Sequence, residues 1–134
     1  MRSLRKTWGA ALAGAVMLAT GGIANAIEIA PFQASAFEAA KAEGKSVVVD
    51  VTASWCSTCR AQTKIIDTLA SKPEYKDILV LKIDYDRQKD EMRSLGAQNR
   101  STLIAFKGAD ETGRSVADTN PASVEQLFAS TLGQ

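Results

Sequence analysis

The stretch "VVVDVTASWCSTCR", residues 47–60, decides how this chain folds, because it joins a run of β-branched residues to the only two cysteines. Residues 46–52 show no clean polar alternation, which is typical of a strand that is buried on both faces of a sheet. Apolar residues then recur at helical spacing over residues 57–71. Cys56 and Cys59 are therefore predicted to lie where a buried strand gives way to a helix.

This position predicts the chemistry of the two thiols. At the first turn of a helix, Cys56 would face unsatisfied backbone N–H groups and the positive end of the helix dipole, and both favour a thiolate. Cys59 lies one helical turn further on, within the Cα separation that an unstrained disulfide requires. We expect the more exposed Cys56 to attack a disulfide and the more buried Cys59 to resolve the mixed disulfide.

The cysteine pair is also open to two other uses. A metal centre would lack partners, because two thiolates without any histidine supply only half of a tetrahedral zinc site. Such a centre would need a dimer or a soft ion such as Cu(I). A purely structural disulfide would close too short a loop to restrict the unfolded chain appreciably. The strand-to-helix context favours redox exchange over both.

The rest of the chain predicts an α/β domain, because further strands alternate with helices and imply right-handed crossovers. We expect a small mixed central sheet with helices on both faces. The other predicted elements are a helix capped by Ser35 and Glu38 and stopped by Gly44, a strand over residues 77–84, a helix through Met92 and Leu95 capped by Gly96, a hairpin of residues 102–107 and 114–117, and a last helix with Asn120 as cap and Pro121 in its first turn.

Composition narrows the class of protein further. The chain has 134 residues, of which 46% are hydrophobic and 23% charged, as expected for one globular domain. Its net charge of +1 comes without a basic stripe, which argues against nucleic acid as a partner. There is no histidine, so the commonest general base is missing from any mechanism.

Residues 1–26 read as a cleavable secretory signal. Arg2, Arg5 and Lys6 precede an apolar run that closes on a small-residue cleavage site at Ala26. The alternative is a retained anchor, although the apolar run is shorter than the roughly 20 residues that span a bilayer. Cleavage would remove three basic and no acidic residues, which changes the net charge from +1 to −2. We expect a mature domain over residues 27–134, exported to the periplasm or an equivalent oxidising compartment, without stable membrane association.

The segments "VVVDVTASWCSTCR", "LVLKIDYD" and "STLIAFKG" together resemble the thioredoxin family over nearly the whole predicted mature chain. The most specific match is an aspartate six residues before the first cysteine of a Trp-Cys-x-x-Cys motif. The chain is most similar to exported thioredoxin-like domains. The resemblance implies a thioredoxin-like fold and a monomeric thiol-disulfide oxidoreductase. Such a protein would act on client protein thiols and disulfides with an upstream redox partner, and it would need no cofactor.

The resemblance also implies roles for individual residues. Cys56 would be the nucleophile and Cys59 the resolving cysteine, Asp50 would help to deprotonate Cys59 with Lys82 nearby, and Trp55 would shape the docking surface. Independently, a carboxylate inside the buried run should have a raised pKa, which suits proton exchange with a thiol. The alternative is that Asp50 and Lys82 are merely solvated at strand ends.

One loop departs from the family. Thioredoxin-like proteins usually carry a cis-proline before the strand that faces the active site, in a context such as Pro-Thr-Leu. This chain has Ser101 and Thr102 there, and both are assigned to substrate binding by the resemblance. The bond before Ser101 is either trans or held cis at about 2.5–4 kcal/mol. Serine should leave the sulfurs less shielded, so metal should bind more readily than in a Ser101→Pro variant.

The outcome of that substitution depends on the loop. A proline that can adopt the cis bond should increase disulfide exchange, whereas a proline that replaces a hydrogen-bonded N–H should destabilise the fold. Two further functions stay open, a Cu(I)- or Zn²⁺-handling module and a redox-inactive binding domain. The Ser57-Thr58 dipeptide lacks the histidine that would further stabilise a thiolate, which favours a reductant or isomerase over a strong oxidase.

Overall fold

The computed structural model describes residues 26–133, so all but the last residue of the predicted signal lies outside the described residues. This part of the chain contains five strands and four helices, which alternate up to the hairpin of the last two strands. In order they are β1 (Glu28–Pro31), α1 (Ala34–Ala42), β2 (Ser46–Thr52), α2 (Ser57–Ala70), β3 (Leu79–Asp84), α3 (Lys89–Ser94), β4 (Thr102–Lys107), β5 (Asp110–Val116) and α4 (Pro121–Ala129). Short 3₁₀ turns follow α2 and α4, at Pro73–Tyr75 and Ser130–Leu132.

The five strands form one mixed sheet in the order β1-β3-β2-β4-β5. The strands β1, β3 and β2 are mutually parallel, whereas β4 runs antiparallel to β2 and β5 antiparallel to β4. The central position of β2 explains its uninterrupted β-branched sequence, since no face of it meets solvent. The predicted α/β class with a small mixed sheet is confirmed.

Alternating side chains of β2 enter two separate cores, which the helices complete. On one face, Val47, Val49 and Val51 pack in a cluster with Phe37 of α1 and Met92 of α3. On the other face, Val48 packs in a cluster with Ile66 and Leu69 of α2 and with Val124 and Phe128 of α4. The period of two therefore places Asp50 on the face that α2 covers.

Several predicted boundaries are confirmed. The strand β2 and the helix α2 begin at the predicted residues, and β4 spans the predicted six. At α4 the Asn120 side chain accepts hydrogen bonds from the N–H groups of Ala122 and Ser123 at 2.9 and 3.2 Å. Pro121 occupies the first turn, where a missing N–H is harmless.

Three sequence expectations are wrong. The strand β1 was not predicted, and it adds a parallel edge next to β3. The helix α1 begins at Ala34 with Gln33 at the N-cap, so Ser35 lies inside the helix and does not cap it. The strand β5 begins at Asp110 rather than Arg114, because the hairpin turns tightly at Gly108, whose φ is +56°.

None of the helices within residues 26–133 is long and apolar enough to cross a membrane.

Candidate active site

Cys56 and Cys59 meet at the N-terminus of α2 and are joined by a disulfide, with their Cα atoms 5.2 Å apart. Cys56 is the N-cap residue, and its Sγ accepts a hydrogen bond from the Cys59 N–H at 3.1 Å. The helix therefore directs a backbone donor at the Cys56 sulfur, as the sequence predicts. The expected difference in exposure is wrong for the disulfide form, since Cys56 is 2% and Cys59 3% exposed.

Trp55 forms the apolar surface beside the disulfide. Its side chain is 54% exposed, and its Nε1–H donates to Asp86 Oδ2 at 2.8 Å. The Tyr85 ring packs edge-on against it with the centroids 6.1 Å apart, and the Arg100 guanidinium lies 4.9 Å from the indole centroid. These contacts hold a large exposed aromatic side chain next to Cys56. Its role in docking stays a prediction.

Asp50 is buried next to Lys82 on the neighbouring strand. The two residues are register partners of β2 and β3, and Asp50 is only 1% exposed. Burial raises the pKa of the Asp50 carboxyl to about 6, and the positive charge of Lys82 opposes this shift. Asp50 Oδ1 has no hydrogen-bond partner among the described residues. The solvated alternative is therefore excluded for Asp50, and half-buried Lys82 acts on it electrostatically.

Ser101 lies directly against the disulfide. Its Oγ is 3.1 Å from Cys59 Sγ and 3.3 Å from Cys56 Sγ. The peptide bond before it is trans, its φ is +57°, and its N–H donates to the Val51 carbonyl at 2.7 Å. The Ser101 hydroxyl fills the space beside the two sulfurs, and the expectation that serine shields them less than a proline would stays a prediction. Of the two loop geometries considered, the trans loop with a hydrogen-bonded N–H is the one observed.

Thr102, the second residue assigned to substrate binding, is 2% exposed, and its Oγ1 donates to the Asn99 carbonyl at 2.7 Å. This hydrogen bond closes the turn that leads into β4. The structure thus gives the Thr102 side chain a partner within its own loop, and a contact with substrate stays a prediction.

Gln62 is a site residue that the sequence reasoning missed. It is fully buried, and its Nε2 donates to the Ser101 carbonyl at 3.1 Å and to the Asp118 carbonyl at 2.9 Å. It thereby ties α2 to the loops on either side of the β4–β5 hairpin. A signal was available, because Gln62 falls on the same helical face as Cys59 and Ile66, and a polar residue on a buried face indicates a buried hydrogen bond.

Within residues 26–133, no group of three or more histidine, cysteine, aspartate or glutamate side chains is placed to hold a metal ion. Two cysteines at a helix N-terminus can form and break a disulfide, and the central strand that precedes them carries a buried carboxyl. This arrangement defines a thiol-disulfide oxidoreductase.

Comparison with known proteins gives the family. The thioredoxin family model matches residues 28–130, and the chain therefore belongs to the thioredoxin family. Thioredoxin-2 of Saccharomyces cerevisiae is 36% identical over 100 residues, which cover 74% of this chain and 93% of that protein. Thioredoxin of Chlamydia muridarum is 32% identical over 83 residues, which cover 62% and 79%. Thioredoxins act on protein disulfides together with redox partners.

The fold is shared with solved structures. The crystal structure of Trxlp from Edwardsiella tarda has a TM-score of 0.73 and 32% identity, covering 75% of this chain and 98% of that one. A thioredoxin of Malassezia sympodialis has a TM-score of 0.69 at 19% identity, covering 80% and 92%, and it supports the fold alone.

Proposed function

We propose that this chain is an exported, monomeric oxidoreductase that reduces or exchanges disulfides in client proteins and is itself recharged by an upstream redox protein. The observation that carries the proposal is the Cys56 sulfur at the N-cap of α2, joined to Cys59 and supplied with a backbone donor at 3.1 Å. The relatives named thioredoxin support the same chemistry.

The reaction begins with the reduced pair. The Cys56 thiolate attacks one sulfur of a client disulfide, a new S–S bond forms to Cys56, and the other client sulfur leaves as a thiolate. Cys59 then loses its proton and attacks Cys56 Sγ, which closes the protein disulfide and releases the second client thiolate. Two electrons pass from the protein dithiol to the client, and two protons end on the client thiols.

Asp50 is the group that we assign to the proton of Cys59. With a pKa of about 6 the Asp50 carboxyl is ionised near neutral pH yet is a stronger base than an exposed aspartate. It lies on the face of β2 that α2 covers, and α2 carries Cys59. Asp50→Asn should therefore slow resolution of the mixed disulfide more than its formation.

The direction of electron flow follows from the dipeptide between the cysteines. Neither Ser57 nor Thr58 can add positive charge beside Cys56, so we assign the protein to reduction or isomerisation rather than strong oxidation. In an oxidising compartment such a protein needs a donor that keeps reducing the pair.

Catalysis can be tested with reduced protein and insulin as client. The wild type should precipitate insulin chains catalytically in the presence of a small-molecule thiol. Cys59→Ser should trap a mixed disulfide with the client, whereas Cys56→Ser should trap none. If Cys59 is instead the residue that alkylates first and forms the trapped adduct, the assignment of the nucleophile is wrong.

Export is tested separately on the full chain expressed in a bacterial host. The periplasmic fraction should contain a product whose intact mass corresponds to cleavage after Ala26. Recovery in the membrane fraction of a product that keeps residues 1–26 would mean that the domain is anchored and not secreted. Recovery of the full-length chain in the cytoplasm would overturn the exported assignment while leaving the redox chemistry intact.

A further inference from the structure

The Ser101 hydroxyl has an unusual set of partners. Ser101 is 2% exposed, and the two active-site sulfurs are the only hydrogen-bond partners of its Oγ among the described residues. In the disulfide neither sulfur carries a proton, so the hydroxyl is the only possible donor in both contacts. A buried hydroxyl aimed solely at weak sulfur acceptors gains little in this state. A charged sulfur would be a much better acceptor.

The backbone of Ser101 is fixed from three sides. Its N–H donates to the Val51 carbonyl of β2 at 2.7 Å, and its own carbonyl accepts from the Ala117 N–H at 2.9 Å and from Gln62 Nε2 at 3.1 Å. These contacts hold a non-glycine residue at a φ of +57°, a conformation that most side chains avoid. The hydroxyl is therefore positioned before the reaction starts, which is the arrangement that favours electrostatic stabilisation of a developing charge.

We propose that Ser101 is a catalytic residue whose hydroxyl donates a hydrogen bond to the thiolates of Cys56 and Cys59 in turn. The inference rests on the exchange chemistry of this pair and is independent of export and of the client. A proline, the residue that usually stands at this position in the family, has neither the hydroxyl nor the backbone N–H. Ser101 therefore adds a donor to the site.

Each charged sulfur of the cycle lies within reach of this one donor. In the reduced protein the hydroxyl stabilises the Cys56 thiolate before it attacks the client disulfide. Once Cys56 is bound to the client it is neutral, and the hydroxyl is free to turn to Cys59 as that thiol loses its proton. When the protein is reduced again, the thiolate that leaves is stabilised by the same contact. The net transfer stays two electrons and two protons, since the hydroxyl keeps its own proton throughout.

The hydroxyl should also shift the redox equilibrium. Stabilising a thiolate favours the reduced protein, while the disulfide gains only a weak contact. A hydrogen bond to a charged group corresponds to about one to two pKa units. Ser101→Ala should therefore raise the pKa of the reactive thiol by about one unit. At a pH above the pKa of the reactive thiol in both proteins, the equilibrium with glutathione should move about tenfold towards the disulfide, which is about 30 mV for a two-electron couple. Below both pKa values the two proteins carry the neutral thiol, and this shift should vanish.

The effect on rate should be smaller than the effect on equilibrium, and it should appear in a lower pH range. A thiol with a higher pKa forms less thiolate, but the thiolate it forms is a better nucleophile, with a Brønsted coefficient of about 0.4–0.5. Below the pKa of the thiol, a one-unit rise should therefore slow attack only about three- to fourfold. A structural disturbance of the loop would not produce this fixed relation between pKa, equilibrium and rate.

The experiment compares three variants of the purified protein. Ser101→Ala and Ser101→Gly both remove the hydroxyl, but glycine also relieves the strain of the positive φ, so the two separate chemistry from stability. Ser46→Ala is the matched control. Ser46 is also a buried serine, and its hydroxyl donates to the Thr131 carbonyl at 2.6 Å, but it is the first residue of β2 and so lies at the end of that strand opposite the cysteines. The titratable groups on the surrounding elements stay unchanged in all variants: Asp50, Lys82, Arg60, Tyr85 and Arg100.

Thiolate absorbance against pH and the glutathione equilibrium are measured for each protein, with circular dichroism to confirm folding. Both Ser101 variants should show the higher thiol pKa and the shift towards disulfide, and Ser46→Ala should show neither. Equal thiol pKa values and equilibria in wild type and the folded Ser101→Gly variant would overturn the proposal. If the wild-type pair failed to exchange with glutathione at all, the proposed function would fail, and the thiolate titration would still decide the role of Ser101.

Discussion

Replacing Asp50 by asparagine should stabilise the folded protein at neutral pH. Burial raises the pKa of this carboxyl from 3.8 to about 6, and Lys82 offsets only part of the shift. Between these two pH values the folded protein binds the proton and the unfolded chain does not, so the free energy of unfolding falls as the pH rises. The contribution of Asp50 is thus most favourable in acid and is lost as the pH rises through about 6.

The magnitude follows from the size of the shift. Two pKa units correspond to about 3 kcal/mol, since each unit is 1.36 kcal/mol. Above about pH 7 the native protein therefore keeps a buried charge, and within residues 26–133 Asp50 Oδ1 has no hydrogen-bond partner to compensate it. An asparagine stays neutral at every pH. We expect Asp50→Asn to gain about 3 kcal/mol at pH 8 and only about 0.5 kcal/mol at pH 4.

Urea unfolding of the oxidised protein across this pH range measures the effect. The difference in unfolding free energy between variant and wild type should rise with pH between the unfolded pKa of 3.8 and the folded pKa of about 6, with an unchanged m-value. Asp67→Asn is the matched control, because Asp67 is exposed on α2, and its effect should stay within about 0.5 kcal/mol. A pH-independent difference for Asp50→Asn would refute the reasoning, since it would mean that burial does not shift the titration.

Further substitutions test the surroundings of the site. Lys82→Gln should raise the pKa of Asp50 further, so the pH at which stability falls should move upward in the same urea series. Ser101→Pro should destabilise the fold by about 3 kcal/mol or more, because proline cannot adopt a φ of +57° and removes the hydrogen bond to the Val51 carbonyl; a gain in exchange activity with unchanged stability would contradict this. Gln62→Leu should cost about 1–3 kcal/mol in thermal or urea unfolding, because the Asp118 carbonyl loses its side-chain donor and the Ser101 carbonyl loses one of two donors, and unchanged stability would mean that these bonds are dispensable.

The elements that a local pattern determines could be predicted from the sequence. The strand β2 has a continuous apolar sequence because both of its faces are covered, and the cap of α4 depends only on Asn120 and the next three residues. The cysteines could be placed for the same reason, since a strand followed at once by a helix puts Cys56 at a helix N-terminus.

Elements that depend on distant partners could not be predicted. The strand β1 is a four-residue edge whose identity comes from pairing with β3, some 50 residues further along the chain. At α1 the sequence favours a cap at Ser35, yet the N-cap is Gln33, two residues earlier. The helix packs Phe37 and Ala40 against the sheet, a contact that the local sequence does not show. The polar strand β5 resembles a loop in sequence because most of its side chains are exposed, and its pairing with β4 through the backbone makes it a strand.

The same distinction applies to the site. The burial of Asp50 follows from its position inside a buried run, so the direction of its pKa could be predicted. That Ser101 lies near the sulfurs was expected only from the family resemblance. The contact of its hydroxyl with them could not be predicted from the local sequence, because it depends on the antiparallel pairing of β2 with β4 and on a positive φ that nothing in that sequence demands.

The spacing of the disulfide has a consequence for how folding and oxidation state influence each other. The Cys56–Cys59 bond spans three residues, so it removes little entropy from the unfolded chain, whereas Ser101 reaches the sulfurs from 42 residues away. By a thermodynamic cycle, the difference in unfolding free energy between the reduced and the disulfide form equals the gap in reduction potential between the folded protein and its unfolded chain. Each 30 mV of that gap corresponds to about 1.4 kcal/mol. Unfolding free energies of the reduced and the disulfide form therefore give the contribution of folding to the reduction potential of the cysteine pair, without a direct measurement of that potential.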